Sequence, residues 1–264
     1  MTVKIGVIGG TGLYDPSIFE NINEELVHTE YGNIKVKVGE YSGKKIAFLP
    51  RHGEQHVLPP HKVNYRGNIL ALKQLGVERI IATAAVGSLN LEIEPGQMVI
   101  IDQFIDFTKN RPATFFEDKD HGVIHIDMTE PYCNEMRHYL INAAQKVKIP
   151  VHTSGTYVCT EGPRFETPAE IRMYQLMGGH LVGMTSVPEV VLARETEICY
   201  ASVAVVTNFA AGISPNPLTH AEVIETMKQN NKNLKTLVLK TIDLLEEKRN
   251  CYCANAAREL GTLG

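Results

Sequence analysis

Seven apolar, β-branched runs recur along this chain, at 3–8, 45–49, 79–84, 98–105, 151–158, 181–184 and 199–206. Several are near-continuous rather than alternating, as strands buried on both faces must be. Helical periodicity lies between them, at 68–75, 133–147, 169–177, 187–195 and 221–247. That alternation predicts an α/β fold, a three-layer α/β/α sandwich around a largely parallel or mixed sheet. No internal repeat, low-complexity stretch or linker interrupts it, so 1–264 is expected to form a single domain.

The chain is long enough for an ample core, with 44% hydrophobic residues in 264. A net charge of −4 leaves no basic footprint for nucleic acid, but a local site can still bind a small anion. No apolar run reaches the roughly 18 residues of a membrane span. The opening Met1-Thr-Val-Lys-Ile-Gly-Val-Ile-Gly-Gly10 runs directly into a strand and lacks the parts of a signal peptide, so a cytoplasmic location is expected. Cys133, Cys159, Cys199, Cys251 and Cys253 show no metal-site spacing. The first three sit in apolar or helical contexts and are expected to be buried thiols. Cys251-Tyr-Cys253 reads as two free thiols on a tail, with a local or inter-chain disulfide as the other reading.

Three helix starts carry capping-box residues: Thr167-Pro-Ala-Glu170, Ser186-Val-Pro-Glu189 and Thr219-His-Ala-Glu222. That pattern assigns Glu170, Glu189 and Glu222 to structure. Glu166 lies just outside the first box and has no such local task.

Two segments carry the groups that would hold a flat heterocycle. Glu161-Gly-Pro-Arg-Phe-Glu-Thr167 and Thr207-Asn-Phe209 each follow a strand-like run and are expected to be loops. Together they supply a carboxylate (Glu166), a carboxamide (Asn208) and two rings (Phe165, Phe209). A carboxylate beside a carboxamide suits a ring that presents N–H next to a carbonyl, as a 6-oxopurine does.

Three further strand ends suit an anion. Gly9-Gly-Thr-Gly12 lets backbone amides approach closely, and Thr11 adds a hydroxyl; the same turn equally makes a plain tight bend. It lacks the third glycine and the spacing of a dinucleotide fingerprint. Pro50-Arg-His-Gly53 offers the planar Arg51 fork and the His52 ring, or else a surface pair, with His56 close behind. Ala84-Ala-Val-Gly-Ser88 is expected to be a third turn of small residues. Three such turns at strand ends favour a binding crevice over any one alone.

These segments, with Gly183-Met-Thr-Ser-Val-Pro-Glu-Val190, resemble the trimeric purine nucleoside phosphorylases and 5′-methylthioadenosine phosphorylases across nearly the whole chain. The resemblance implies reversible phosphorolysis of a purine nucleoside to free base and α-ribose-1-phosphate. It places Thr11, Arg51, His52, the Ala85 amide and Thr185 at phosphate. It places Met184 on the ribose, and Phe165, Glu166, Asn208 and Ala210 at the base. Asn208, Glu166 and His52 are the candidate catalytic groups. His125 matches a position contributed by a neighbouring subunit to the 5′ end, and His220 one that bonds the 5′-hydroxyl. The family implies a homotrimer or dimer of trimers, with no metal or organic cofactor and phosphate as co-substrate.

Within the family, methylthioadenosine enzymes read Asp-Tyr-Asp where this chain has Asn208-Phe-Ala210. Asn208 can accept from N7–H and donate to O6, and ionised Glu166 accepts from N1–H. Adenine has a lone pair at N1, and a site built on such a polar contact can reject the mismatched analogue by about 10⁴–10⁵. The expectation is a 6-oxopurine nucleoside phosphorylase acting on inosine and guanosine in purine salvage. Val63-Asn-Tyr65 and 102–106 look more like the methylthio branch, which keeps 5′-methylthioinosine or 5′-methylthioadenosine phosphorylase as the alternative.

Overall fold

The computed structural model describes residues 3–10, 19–53, 57–117, 123–214 and 220–257, with backbone only at 220–222. In chain order the strands are β1 (Ile5–Gly9), β2 (Glu20–Thr29), β3 (Gly32–Tyr41), β4 (Lys44–Pro50), β5 (Arg79–Ser88) and β6 (Met98–Ile100). They continue with β7 (Gln103–Phe107), β8 (Val151–His152), β9 (Thr156–Thr160), β10 (Leu181–Gly183) and β11 (Cys199–Phe209). The helices are α1 (Tyr65–Gln74), α2 (Asn134–Val147), α3 (Pro168–Leu176), α4 (Ser186–Glu195) and α5 (His220–Leu244). No helix among the described residues is long and apolar enough to cross a membrane.

The strands form one mixed sheet, as the alternating pattern predicts. β4, β1, β5 and β11 run parallel through its centre. β10, β9 and β7 run parallel to one another, but β10 meets β5 antiparallel. Strand alternation divides the core into two faces. Ile80 and Ala82 pack toward α1 and α4, while Ile81 packs toward α2 and α5. Ala204 and Val206 of β11 follow the first face, and Val203 and Val205 the second. Central strands with both faces covered explain why their sequences read as continuous apolar runs.

The sequence pattern missed the hairpin of β2 and β3. β2 is exposed over most of its length and carries no apolar run. It is held by its antiparallel ladder to β3, whose Ile34, Val36 and Val38 alternate into the core. Two predicted runs also divide. Residues 98–105 break into β6 and β7, and 151–158 into β8 and β9, because the chain changes strand partners at both places. Asp102 Oδ1 accepts from Gly155 N at 2.8 Å and joins the two breaks.

Cys133, Cys159 and Cys199 are buried, as expected. Cys251 and Cys253 are not on a loose tail: Cys253 is buried in the α2–α5 core and Cys251 packs against it. Of the three expected capping boxes, Thr167 and Glu170 form the full reciprocal pair. The Ser186–Glu189 box does not form, because Val187 has non-helical torsions and Glu189 points elsewhere. Thr219 lies outside the described residues, as does the side chain of Glu222.

Candidate active site

β1 and β10 share one edge of β5 and run toward each other. β1 pairs with β5 as far as Ile8↔Ala82, and β10 as far as Val182↔Gly87. Between these ends, Thr83–Val86 has, among the described residues, a strand on only one side, where β11 lies. A cavity of about 360 Å³ opens on that unpaired stretch. It sits where the sheet reverses direction, the kind of place where α/β sheets bind ligands.

Backbone polarity follows from the strand itself. Thr83 O and Leu89 N both face this edge, accepting from Arg51 Nη1 and donating to His180 O. By two-residue alternation the Ala85 amide faces the same edge, and Ala85 lines the cavity. Residues 84–88 are therefore the end of a ten-residue strand, not the separate turn expected. The unpaired edge still offers backbone donors, for a different reason.

The cationic end is built on Arg51. Arg51 N donates to Gly9 O at 3.0 Å, which places the residue beside the end of β1. Its guanidinium donates to Glu189 Oε2 and Oε1, each at 2.6 Å, and to Thr83 O at 2.7 Å. Burial opposes the Arg51 charge, and the Glu189 carboxylate more than offsets it, so its pKa is raised. Three of its five N–H groups are engaged in these bonds, which leaves two for the cavity. A Cβ on Gly10 would collide with Thr83 O and lie 2.7 Å from Arg51 Nη1, so this approach needs glycine. Gly10 N donates to Thr83 Oγ1 at 3.0 Å.

His52 lines the cavity next to Arg51. Its Nδ1 lies 2.8 Å from Leu58 O, a pure acceptor, so Nδ1 carries the proton. Thr185 lines the same end from the chain after β10, and its amide donates to Tyr157 OH at 3.2 Å. Gly183 leaves room for that tyrosine, whose hydroxyl would collide with a Cβ there. Thr11 and His56 lie outside the described residues.

The opposite end carries Glu166 and Asn208, both buried. Glu166 projects from the loop between β9 and α3, and its Oε1 accepts from Thr160 Oγ1 at 2.7 Å. Burial pushes its pKa up, and the Thr160 bond partly opposes that shift. Asn208 lies at the end of β11, not in a loop as expected. Pairing with β5 shifts between Val206 and Asn208, so Thr207 is an extra residue in the ladder. Such a bulge re-aims the side chains that follow it. Asn208 Nδ2 donates to Phe209 O at 2.9 Å and Oδ1 accepts from Thr207 Oγ1 at 2.7 Å. Phe209 O can only accept, which fixes the amide orientation. One donor and one acceptor site of the carboxamide remain for a ligand.

Phe165, Met184 and Ala210 also line the cavity. Phe209 is not part of that lining; its carbonyl holds the Asn208 carboxamide. His125 is exposed on this chain and lies away from the cavity lining. His220 opens α5, and its side chain lies outside the described residues. Val223, three positions on, is buried and lines the cavity.

Sequence reasoning missed two residues. Glu189 was assigned to a helix cap but anchors Arg51 and accepts from Tyr200 OH at 2.7 Å. Arg111 is buried and donates to Met184 O (2.7 Å), Val187 O (2.8 Å), Thr160 O (3.1 Å) and Glu161 O (2.7 Å). It also bonds Glu161 Oε2 at 3.2 Å. It thereby ties the loop that carries Glu166 to the one that carries Met184 and Thr185. Its neighbours in sequence carry no pattern that marks it.

A cavity with a fixed guanidinium at one end and a carboxylate–carboxamide pair at the other can hold an anion and a polar heterocycle at once, as a group-transfer enzyme must. The family model of the phosphorylase superfamily matches residues 4–243, and the chain belongs to that family. A probable 6-oxopurine nucleoside phosphorylase of Dictyoglomus turgidum is 57% identical over 97% of both chains. The 6-oxopurine nucleoside phosphorylase of Pyrococcus furiosus is 54% identical, covering 97% of this chain and 98% of that protein. A solved methylthioadenosine phosphorylase from an antarctic soil metagenomic library superposes with a TM-score of 0.92 at 38% identity, covering 98% of this chain and 92% of that one.

Proposed function

We propose that this protein is a purine nucleoside phosphorylase for 6-oxopurine nucleosides such as inosine and guanosine, working in purine salvage in the cytoplasm. The observation that carries the reading is that buried Glu166 and Asn208 line one cavity with Arg51. The names of the Dictyoglomus and Pyrococcus relatives support the same base preference.

Phosphate sits beneath C1′, held by the two remaining Arg51 donors, His52, the Ala85 amide and Thr185, with Thr11 completing the set. Met184 packs on the ribose and Phe165 on the base. The glycosidic bond stretches first, and the sugar takes on oxocarbenium character. Asn208 stabilises the charge that flows into the purine through N7 and O6, and Glu166 accepts from N1–H. Phosphate stabilises the cation and then attacks it. No side chain becomes covalently bound, so catalysis is positioning and electrostatics. Phosphate is the co-substrate, and the reaction needs no metal or organic cofactor. The active form is a homotrimer or a dimer of trimers, a single domain per chain, in which exposed His125 closes the 5′ end of a neighbouring site.

One observation favours a second reading, 5′-methylthioinosine phosphorylase. Val223 gives the start of α5 a buried apolar surface in the cavity. The test is initial rates, with and without phosphate, on inosine, guanosine, adenosine, 5′-methylthioinosine and 5′-methylthioadenosine. Phosphate-dependent cleavage of inosine or guanosine, with adenosine near background, is expected. Cleavage of methylthioinosine alone would select the second reading. Preference for methylthioadenosine would overturn the base assignment, and turnover without phosphate would overturn phosphorolysis.

A further inference from the structure

Four of the five cysteines converge. The Sγ atoms of Cys133, Cys199, Cys251 and Cys253 all lie within 4.8 Å of one another. Cys133 immediately precedes α2, Cys199 opens β11, and Cys251 and Cys253 follow α5. Three of the four are buried and Cys251 is half-buried. Each thiol before the Cys-X-Cys pair comes from a distant part of the chain, so no spacing announces the group.

The donor set is four soft sulfurs, the ligand class that selects zinc in closed structural sites. With Zn–S bonds of about 2.3 Å, a tetrahedron places its sulfurs about 3.8 Å apart. The separations here bracket that edge, from 3.2 Å between Cys199 and Cys251 up to the 4.8 Å limit of the group.

The surroundings carry a second, independent indication. Arg194 Nη1 donates to Cys253 Sγ at 3.2 Å, and Arg249 Nη1 reaches Cys199 Sγ at 3.9 Å. Arg194 is 8% exposed, and its Nε is buried with no hydrogen-bond partner among the described residues. A neutral thiol is a weak acceptor and gives little reason to bury a guanidinium. Four thiolates around a divalent cation carry a net charge of about −2, which two guanidiniums suit. Arg249 shares its charge with Glu78, 3.6 Å away. Asn250 N donates to both oxygens of Glu135 at 3.2 and 3.1 Å, which fixes the approach of the Cys-X-Cys segment.

We propose that Cys133, Cys199, Cys251 and Cys253 form a structural zinc site that fastens the chain after α5 to the base of the central sheet. Loading exchanges four thiol protons for one Zn²⁺, so proton release accompanies binding. Cys199 and Asn208 stand at opposite ends of β11, about 30 Å apart at the usual strand rise, so the site serves stability and leaves turnover alone.

The test is elemental analysis of the full chain purified under reducing conditions, with intact mass after denaturation without reductant. About one zinc per chain and a mass with every thiol reduced are expected. Cobalt substituted for zinc should give the intense thiolate-to-metal charge-transfer band and visible absorption of a tetrahedral sulfur site. A C251S/C253S double variant should lose the metal and melt several degrees lower, with nucleoside turnover unchanged. A metal-free chain overturns the proposal, whether its five thiols are free or its mass is short by the hydrogens of two disulfides. Zinc retained by the double variant also overturns it. If that variant does not fold, the zinc content and cobalt spectrum of the unaltered chain decide alone.

Discussion

Glu189 grips Arg51 through two parallel hydrogen bonds of 2.6 Å, with 1% of the arginine side chain and none of the glutamate exposed. A buried pair of this geometry is costly to break, because the surviving charge is left without a partner. The pair also aims the unused face of the guanidinium into the cavity. In the proposed mechanism Glu189 acts on phosphate through Arg51 and not by contact.

Glu189→Gln tests that relation. It keeps the shape but removes the charge that holds Arg51. The expected outcome is a rise of at least about tenfold in KM for phosphate, a factor worth about 1.4 kcal/mol, with a smaller change in KM for the nucleoside. A fall in Tm should accompany it. An unchanged phosphate KM would show that Arg51 holds its place without Glu189.

Asn208→Ala should lower kcat by about 10²–10³, the range seen when one donor to developing charge is removed. Thr207 and Phe209 O would lose their partner, but both sit on a strand held by β5, so the fold should persist. Steady-state kinetics on inosine checks this, with circular dichroism as the control for folding. Turnover at the original rate would remove Asn208 from the mechanism.

Glu166 carries a pH dependence. Burial raises its pKa above the ordinary 4.5. A carboxyl raised in the folded state contributes stability that is fully present below 4.5 and is lost as pH rises through the folded value. Glu166→Gln stays neutral throughout, so its Tm advantage over the unaltered protein should grow across that window. Activity on inosine should run the other way. The unaltered enzyme loses kcat/KM as acid protonates Glu166, and the variant has low activity with no such limb. A pH profile of both proteins, by calorimetry and by rate, is the measurement. A Tm difference that does not vary with pH would contradict a raised Glu166 pKa.

Arg111→Met should loosen two loops together. The guanidinium donates to carbonyls in both the 160–161 and the 184–187 segments, which buried acceptors cannot replace. A loss of about 3–5 kcal/mol is expected from urea unfolding, on the scale of other broken buried charge networks. KM should rise for nucleoside and phosphate alike, since Glu166 and Thr185 sit on the tethered segments. A change confined to one substrate would show that the loops are positioned separately.

The central strands were legible because both faces are covered, which writes continuous apolar runs, and helices such as α2 because a buried stripe recurs with a fixed period. β2 was not legible, since its backbone pairing to β3 holds a strand whose side chains face water. At the site, the Glu166 loop could be read because Glu166 stood outside a capping box that Thr167 and Glu170 do form. The same device misassigned Glu189, where an identical local pattern was overridden by a partner 138 residues away.

By itself the sequence determined the layer order of the fold, the strand ends that carry Gly10, Arg51 and Asn208, and the family resemblance those segments hold. Tertiary structure alone decided that β1 and β10 stop short of each other on β5, that Arg51 faces the gap because Glu189 holds it, and that four cysteines meet below β11. The physical reason is range. Periodicity and capping are local and recur every few residues, whereas a cavity, a buried ion pair and a thiol cluster are made by groups that only the folded sheet brings together.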